Sequence, residues 1–151
     1  MPNRNLIIAI DPGNEQSAMV WLKDGEIARH EILDNEGLVQ SLLYIGDTKE
    51  TDVVIEMVAS YGMPVGKTIF STCVWIGRFI QACPLTVNLV YRKDIKLHLC
   101  NSMRAKDSHV RQALIDRFGE PGTKKNPGLT YGVHKDEWSA LAVAVYWRDQ
   151  K

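Results

Sequence analysis

The chain has 151 residues and a mass of 17.0 kDa, the size of one domain, and its 45% apolar and 24% charged residues are those of an ordinary globular protein. Lys plus Arg and Asp plus Glu number 18 each, so the formal net charge is zero; this excludes a polycation that coats nucleic acid by bulk charge, though not a local basic face. The early apolar run at residues 6–10 is too short for a signal peptide or a membrane span, and Cys73, Cys83 and Cys100 contain no CxxC pair, which argues against a disulfide framework or zinc knuckle and for a reduced, cytoplasmic protein.

Residues 5–10 are a nearly continuous apolar run that stops at Asp11-Pro12-Gly13, the pattern of a buried central strand and a tight turn. Residues 17–23 and 26–33 flank Asp24-Gly25, a dipeptide suited to the positive φ of a hairpin turn, so the first three segments predict an antiparallel meander. A helix opens at Asn35 or Glu36, carries Leu38, Leu42, Leu43 and Ile45 on one face, and can end at Gly46. Residues 52–58 predict a second buried strand. Residues 67–82 read as an apolar helix stopped by Pro84, residues 85–91 as a strand and residues 93–100 as a helix. Asp107 or Ser108 caps a further helix that carries Val110, Leu114 and Phe118 and ends at Gly119. A loop rich in Gly, Pro and Lys spans residues 120–134, and residues 136–148 close the chain as an apolar helix. The order β-β-β-α-β-α-β-α-α-α predicts an α/β fold in one domain, residues 1–151: a mixed five-stranded sheet, antiparallel meander first, covered by helices on both faces.

Three carboxylates sit where burial should exclude them. Asp11 ends the first central strand, Glu56 interrupts Val53-Val54-Ile55 and Met57-Val58, and Asp136 begins the last apolar helix. A buried carboxylate is costly alone, and two unit charges ~4 Å apart repel by about 4 kcal/mol at an effective dielectric of 20. If the three converge, a cation or a proton must relieve them. Hard oxygens without a His or Cys cluster suit Mg²⁺, with Mn²⁺ able to substitute. Two such ions ~3.5–4 Å apart serve phosphodiester hydrolysis, one activating water and the other stabilising the leaving oxygen. Each acid also has a purely structural reading: Asp11 as a turn residue, Asp136 as a helix cap, Glu56 as the partner of a neighbouring arginine. Spacing alone leaves both readings open.

Leu6-Ile7-Ile8-Ala9-Ile10-Asp11-Pro12-Gly13 resembles the opening strand of RuvC-type Holliday junction resolvases. Val53-Val54-Ile55-Glu56 resembles their second acidic strand, and Trp138-Ser139-Ala140-Leu141-Ala142-Val143-Ala144, with Asp136 just ahead, resembles their closing helix. Tyr61-Gly62-Met63-Pro64-Val65-Gly66-Lys67, followed by Cys73-Val74-Trp75-Ile76-Gly77-Arg78-Phe79, is similar to the phage-encoded branch. The resemblance runs in order along nearly the whole chain. It implies a ribonuclease-H-like fold, a homodimer, and two-metal nicking of four-way or other branched DNA in a bacterial or phage-infected cytoplasm. It also implies that Asp11, Glu56 and Asp136 are catalytic and hold two Mg²⁺ ions, and that a fourth acid should stand where this chain has Ser139. The alternatives are Glu137, turned ~100° around the helix from Asp136, His134, and Ser139 itself through a water. By its place in the resemblance, Lys106 is the lysine near the metals, steadying the charge of the scissile phosphate. The same resemblance implies an aromatic wedge after Glu56. Tyr61, in a loop among Gly and Pro, fits that role, whereas Trp75 in an apolar helix reads as core or dimer interface.

Basic residues crowd the segment before the last helix, interleaved with Asp107, Asp116 and Glu120. They read either as a solvated helix face or as phosphate contacts, and Tyr61, Arg104, Lys106, Arg111, Lys124 and Lys125 are the candidate DNA-binding residues. Gly66-Lys67-Thr68 lacks the glycine that a phosphate-binding loop needs at position 61, so no nucleotide cofactor is expected. A non-catalytic module that binds branched DNA is the competing reading, motivated by Ser139. An actin-like phosphotransferase also has an Asp-x-Gly turn, but needs two domains and a longer chain.

Overall fold

The computed structural model describes residues 6–46 and 50–150. Strands β1 (Leu6–Asp11), β2 (Gln16–Lys23) and β3 (Glu26–Asp34) form the antiparallel meander. Asn5, read from the sequence as the start of the first strand, lies outside the described residues. Asp24 (φ 53°) and Gly25 (φ 82°) both take the left-handed region that a two-residue hairpin requires. Helix α1 (Asn35–Leu43) follows β3 directly, and the Asp34 carboxylate caps it by accepting the Gly37 N–H. The helix stops at Leu43, short of the expected Gly46. Leu38, Val39 and Leu42 complete its buried face, and Leu43 is exposed rather than part of it.

Strand β4 (Thr51–Met57), helix α2 (Lys67–Ala82), strand β5 (Val87–Tyr91) and helices α3 (Arg92–Cys100), α4 (Asp107–Phe118) and α5 (Glu137–Asp149) complete the chain. β5 begins later than the apolar run suggests, because a bend at Pro84 and Leu85 intervenes. Lys106, not Asp107 or Ser108, is the N-cap of α4. Its backbone N–H donates to His109 Nδ1 at 3.1 Å, and the Asp107 carboxylate is spent elsewhere.

The strand order is β3-β2-β1-β4-β5, with β1, β4 and β5 mutually parallel. Strands buried on both faces need helices on both. Ile7, Ala9, Val54 and Val90 face α3, α4 and α5; Ile8, Ile10, Val53 and Ile55 face α1 and α2. Residues 140–145 of α5 are all buried, and the alanines among them let the helix lie close against β1, β2 and β4. Among the described residues no helix is long and apolar enough to cross a membrane.

Candidate active site

Side chains alternate along a strand. Asp11 therefore follows Ile7 and Ala9 toward α5, and Glu56 follows Val54 to the same side. The parallel register that pairs Ile10 with Ile55 brings the two acids level at the carboxyl ends of β1 and β4. On the other side of β4, Glu56 pairs with Val90. Arg92, the first residue of α3, thus emerges beside it. Asp136 stands at the N-cap of α5 and makes no capping hydrogen bond. The chain reaches it through Lys135 at φ 51°, a left-handed conformation that costs a non-glycine residue strain.

The turn after Asp11 is locked by a closed set of hydrogen bonds. The Gly13 N–H donates to Ser17 Oγ (3.1 Å), the Ser17 hydroxyl to Asn35 Oδ1 (2.7 Å), and Asn35 Nδ2 to the Gly13 carbonyl (2.9 Å). A Cβ on Gly13 would lie 2.3 Å from the Gln16 carbonyl oxygen, so only glycine fits there.

These elements bound an open cleft of about 410 Å³. Asp11, Glu56, Asp136 and Ser139 line it, with Tyr61 among the residues at its wall. Arg92, Lys96 and Asp107 line it too, and none of the three was assigned to the site from the sequence. Burial pushes the Asp11 carboxyl well above its ordinary range; the charges of Glu56 and Asp136 add to that push and Arg92 opposes it. Burial likewise raises Glu56, with Arg92 and Lys96 pulling it down and Asp107 and Asp136 pushing it up. Arg92 Nη2 donates to Asp107 Oδ1 at 2.6 Å, and this bond holds the Asp107 carboxyl below its ordinary value. Lys96 Nζ lies 3.8 Å from Asp107. Arg92 Nη1 lies 3.7 Å from Glu56 Oε1, so the neighbouring arginine of the structural reading is present.

Glu56 Oε1 is nevertheless buried without a hydrogen-bond partner. A partly buried acid with one orphaned, fully buried oxygen, level with a second acid whose charged form is disfavoured, is a set of hard oxygen donors short of positive charge. In ligand type it fits Mg²⁺ or Mn²⁺. Among the described residues, no three His, Cys, Asp or Glu side chains are drawn together tightly enough to close on one ion as they stand.

Lys106, Glu137 and His134 do not line the cleft. Lys106 is exposed at the start of α4. Glu137 is 1% exposed; its Oε1 lies 2.8 Å from His30 Nδ1 and accepts the His134 backbone N–H at 3.1 Å, so its carboxylate is engaged on the β3 side. The His134 ring is 3.0 Å from the Gly132 carbonyl. Tyr61, at φ 49°, is half exposed and accepts the Lys93 N–H at 3.3 Å. Arg111 lines an adjoining groove of about 330 Å³ with Lys135, Asp136 and Ser139, its guanidinium 4.9 Å from the Trp138 ring centre. Arg104, Lys124 and Lys125 are exposed, the two lysines in a loop closed by the Gly122–Pro127 bridge.

No family model matches the chain, and no curated protein matches it in sequence. Among solved structures, it is similar to the RuvC structure of Thermus thermophilus, with a TM-score of 0.64 at 13% identity over 96% of both chains. It is similar too to T. thermophilus RuvC in complex with a Holliday junction substrate: TM-score 0.62, 11% identity, 94% of this chain and 92% of that one. At these identities the likeness is one of fold, and it covers the sheet and the helices on both faces.

Proposed function

We propose that the protein is a metal-dependent structure-specific endonuclease that acts on branched DNA, four-way junctions first. One observation carries the reading. Asp11 and Glu56 stand level with each other, partly buried at the ends of two parallel strands, and the exposed Asp136 and half-buried Ser139 line the same cleft. The fold that holds them is shared with a protein solved on a Holliday junction, which supports the choice of substrate.

Asp11, Glu56 and Asp136 would hold two Mg²⁺ ions, or Mn²⁺ in their place, with Ser139 offering a neutral oxygen. Bound there, the ions supply an activated water and stabilisation of the departing 3′ oxygen. The chain's own residues do the rest. Lys96 and Arg92 present positive charge to the incoming phosphate. Tyr61, on a loop beside the cleft, offers a ring on which an unpaired base can stack, worth ~1–3 kcal/mol. Arg104, Arg111, Lys124 and Lys125 lie outside the cleft, where they bind phosphates flanking the cut rather than the scissile one. Lys106 belongs with that outer group. Lys124→Ala and Lys125→Ala should each weaken binding to junction and duplex alike and reduce the slope of log K against log salt by about 1. An unchanged slope removes them from the interface.

A second copy of the chain would complete the enzyme. Phe70 and Val74 lie one turn apart on α2 and face solvent, and Gly77 continues the row with open space where its Cβ would be. That face suits close approach of another α2. Val74→Asp should convert a dimer into a monomer in sedimentation velocity without changing the melt of the monomer. A wild-type chain that stays monomeric at every concentration rejects the dimer.

The deciding experiment pairs a synthetic four-way junction with a linear duplex of the same sequence, in Mg²⁺, Mn²⁺ or EDTA, beside an Asp136→Asn control. Metal-dependent nicks on the junction alone, lost in the control, are expected. Tight junction binding without nicks would instead favour a non-catalytic junction-binding module, a reading to which Ser139 and the Arg92–Glu56 contact lend weight. Neither binding nor nicks rejects both.

A further inference from the structure

Arg92 follows β5 without a break, so its guanidinium enters the cleft from the strand edge beside Glu56. Its two terminal nitrogens are in different situations. Nη2 makes a full hydrogen bond to Asp107 Oδ1 at 2.6 Å. Nη1 stands 3.7 Å from Glu56 Oε1, close enough for charge and too far for a hydrogen bond. Both of these last two atoms are buried and neither has a hydrogen-bond partner. The Asp107 side chain is 81% exposed and the Glu56 side chain 16%, so the finished bond is at the mouth and the unfinished contact on the floor.

Buried ion pairs normally complete their hydrogen bonds. A contact that neutralises charge but leaves both atoms unsatisfied yields readily to a cation that does better. A divalent ion does better, because it takes several carboxylate oxygens at ~2.0–2.1 Å, which a planar guanidinium cannot. Asp107 can keep Arg92 when that contact is given up, since its hydrogen bond to Nη2 is already made. Lys96 at 3.8 Å steadies Asp107 in the same place.

We propose that Arg92 is a resident counter-cation: in the free protein it stands against Glu56 where a divalent cation would bind, and Asp107 retains it when the cation enters. The identity of that cation rests on the nuclease reading above. Ion and guanidinium then compete for Glu56, and the free protein holds a divalent ion weakly. A phosphate in the cleft gives the guanidinium a second anion to turn to. DNA and the ion therefore bind with positive coupling, each strengthening the other. Arg92 acts on the ion through Glu56, as a positioning residue.

The test measures Mn²⁺ binding to the full chain by calorimetry, without DNA. Arg92→Gln should bind Mn²⁺ about tenfold tighter than the wild type. Asp107→Asn should bind it several-fold more weakly, because Arg92 loses its other partner and settles on Glu56. The double variant should still bind Mn²⁺ more tightly than the wild type, falling below Arg92→Gln only by the lost negative charge of Asp107, which also faces Glu56. Arg92→Gln binding no tighter than the wild type overturns the proposal. A double variant that binds Mn²⁺ no more tightly than the wild type overturns it as well, since Asp107 would then act on the ion itself rather than through Arg92. Should Arg92→Gln fail to fold, Asp107→Asn decides alone, its site being at the surface: unchanged binding rejects the competition. If the affinities follow the expected order while no variant nicks a junction, the role of Arg92 stands and the nuclease reading falls.

Discussion

Asp11→Asn should bind a four-way junction as tightly as the wild type, or more tightly, and cut it about a thousandfold more slowly. A metal-holding carboxylate contributes several kcal/mol of charge stabilisation, which is about three orders of magnitude in rate. Binding survives because the lost charge is one that repels phosphate. The same variant should be the more stable protein when no metal is present. Burial and the neighbouring Glu56 charge raise the folded-state carboxyl of Asp11 above its unfolded value. The folded chain therefore binds more protons than the unfolded chain between those two values, and stability falls as pH rises through that window. Glu56 acts in the same direction. Melts in EDTA should thus show a wild type that loses stability from mild acid toward neutral pH, and an Asp11→Asn variant with a smaller loss and a higher neutral-pH melting temperature. Mg²⁺ should return the wild type's lost stability. Wild-type cleavage by Asp11→Asn would end the mechanism, and a higher wild-type melting temperature at neutral pH than in mild acid would contradict the electrostatics.

Glu137→Ala should destabilise the chain and disturb the cleft from outside it. Its carboxylate is almost wholly buried and takes His30 Nδ1 at 2.8 Å and the His134 backbone N–H at 3.1 Å. Truncation leaves the part-buried His134 N–H and the His30 ring without their common acceptor and costs about 3 kcal/mol. For a chain of this size that is a drop of roughly 6–12 °C in melting temperature. The His134 N–H bond also fixes the left-handed turn at Lys135, and Asp136 lies within that turn. Cleavage should therefore fall at temperatures where the variant is still folded. Glu137→Gln keeps an acceptor and should recover most of the stability. An alanine variant that melts like the wild type would show that the pocket admits water in place of the carboxylate.

The elements were legible because each rests on a local rule. Asp24-Gly25 demands a hairpin, residues 67–82 are apolar at the length of a helix, and Pro84 cannot continue one. That Asp11, Glu56 and Asp136 could meet was legible because charge within or at the end of an apolar run is conspicuous, and all three line one cleft. Arg92, Lys96 and the position of Asp107 in the cleft were not. Arg92 begins a helix of mixed polarity, and nothing local marks it. Its importance comes from β5 pairing with β4 in the register that sets Val90 beside Glu56, a long-range fact that no periodicity carries. Asp107 was read as a cap because acids at helix starts usually are; His109 supplies the acceptor instead and releases Asp107 to Arg92. The family resemblance also drew Lys106 toward the acids, whereas the cations that line the cleft with them, Arg92 and Lys96, are one helix earlier.

The ring of hydrogen bonds among Gly13, Ser17 and Asn35 ties one wall of the cleft to the rest of the fold. Asn35 is the first residue of α1, so loosening the turn behind Asp11 would unseat that helix and the end of β3 with it. Asp11 therefore ends β1 against masonry: the turn behind it is a loop in sequence, and part of the core by the free energy needed to open it. The other bank is held by less: Arg92 is bonded to one exposed carboxylate, and Asp136 stands beside a strained turn.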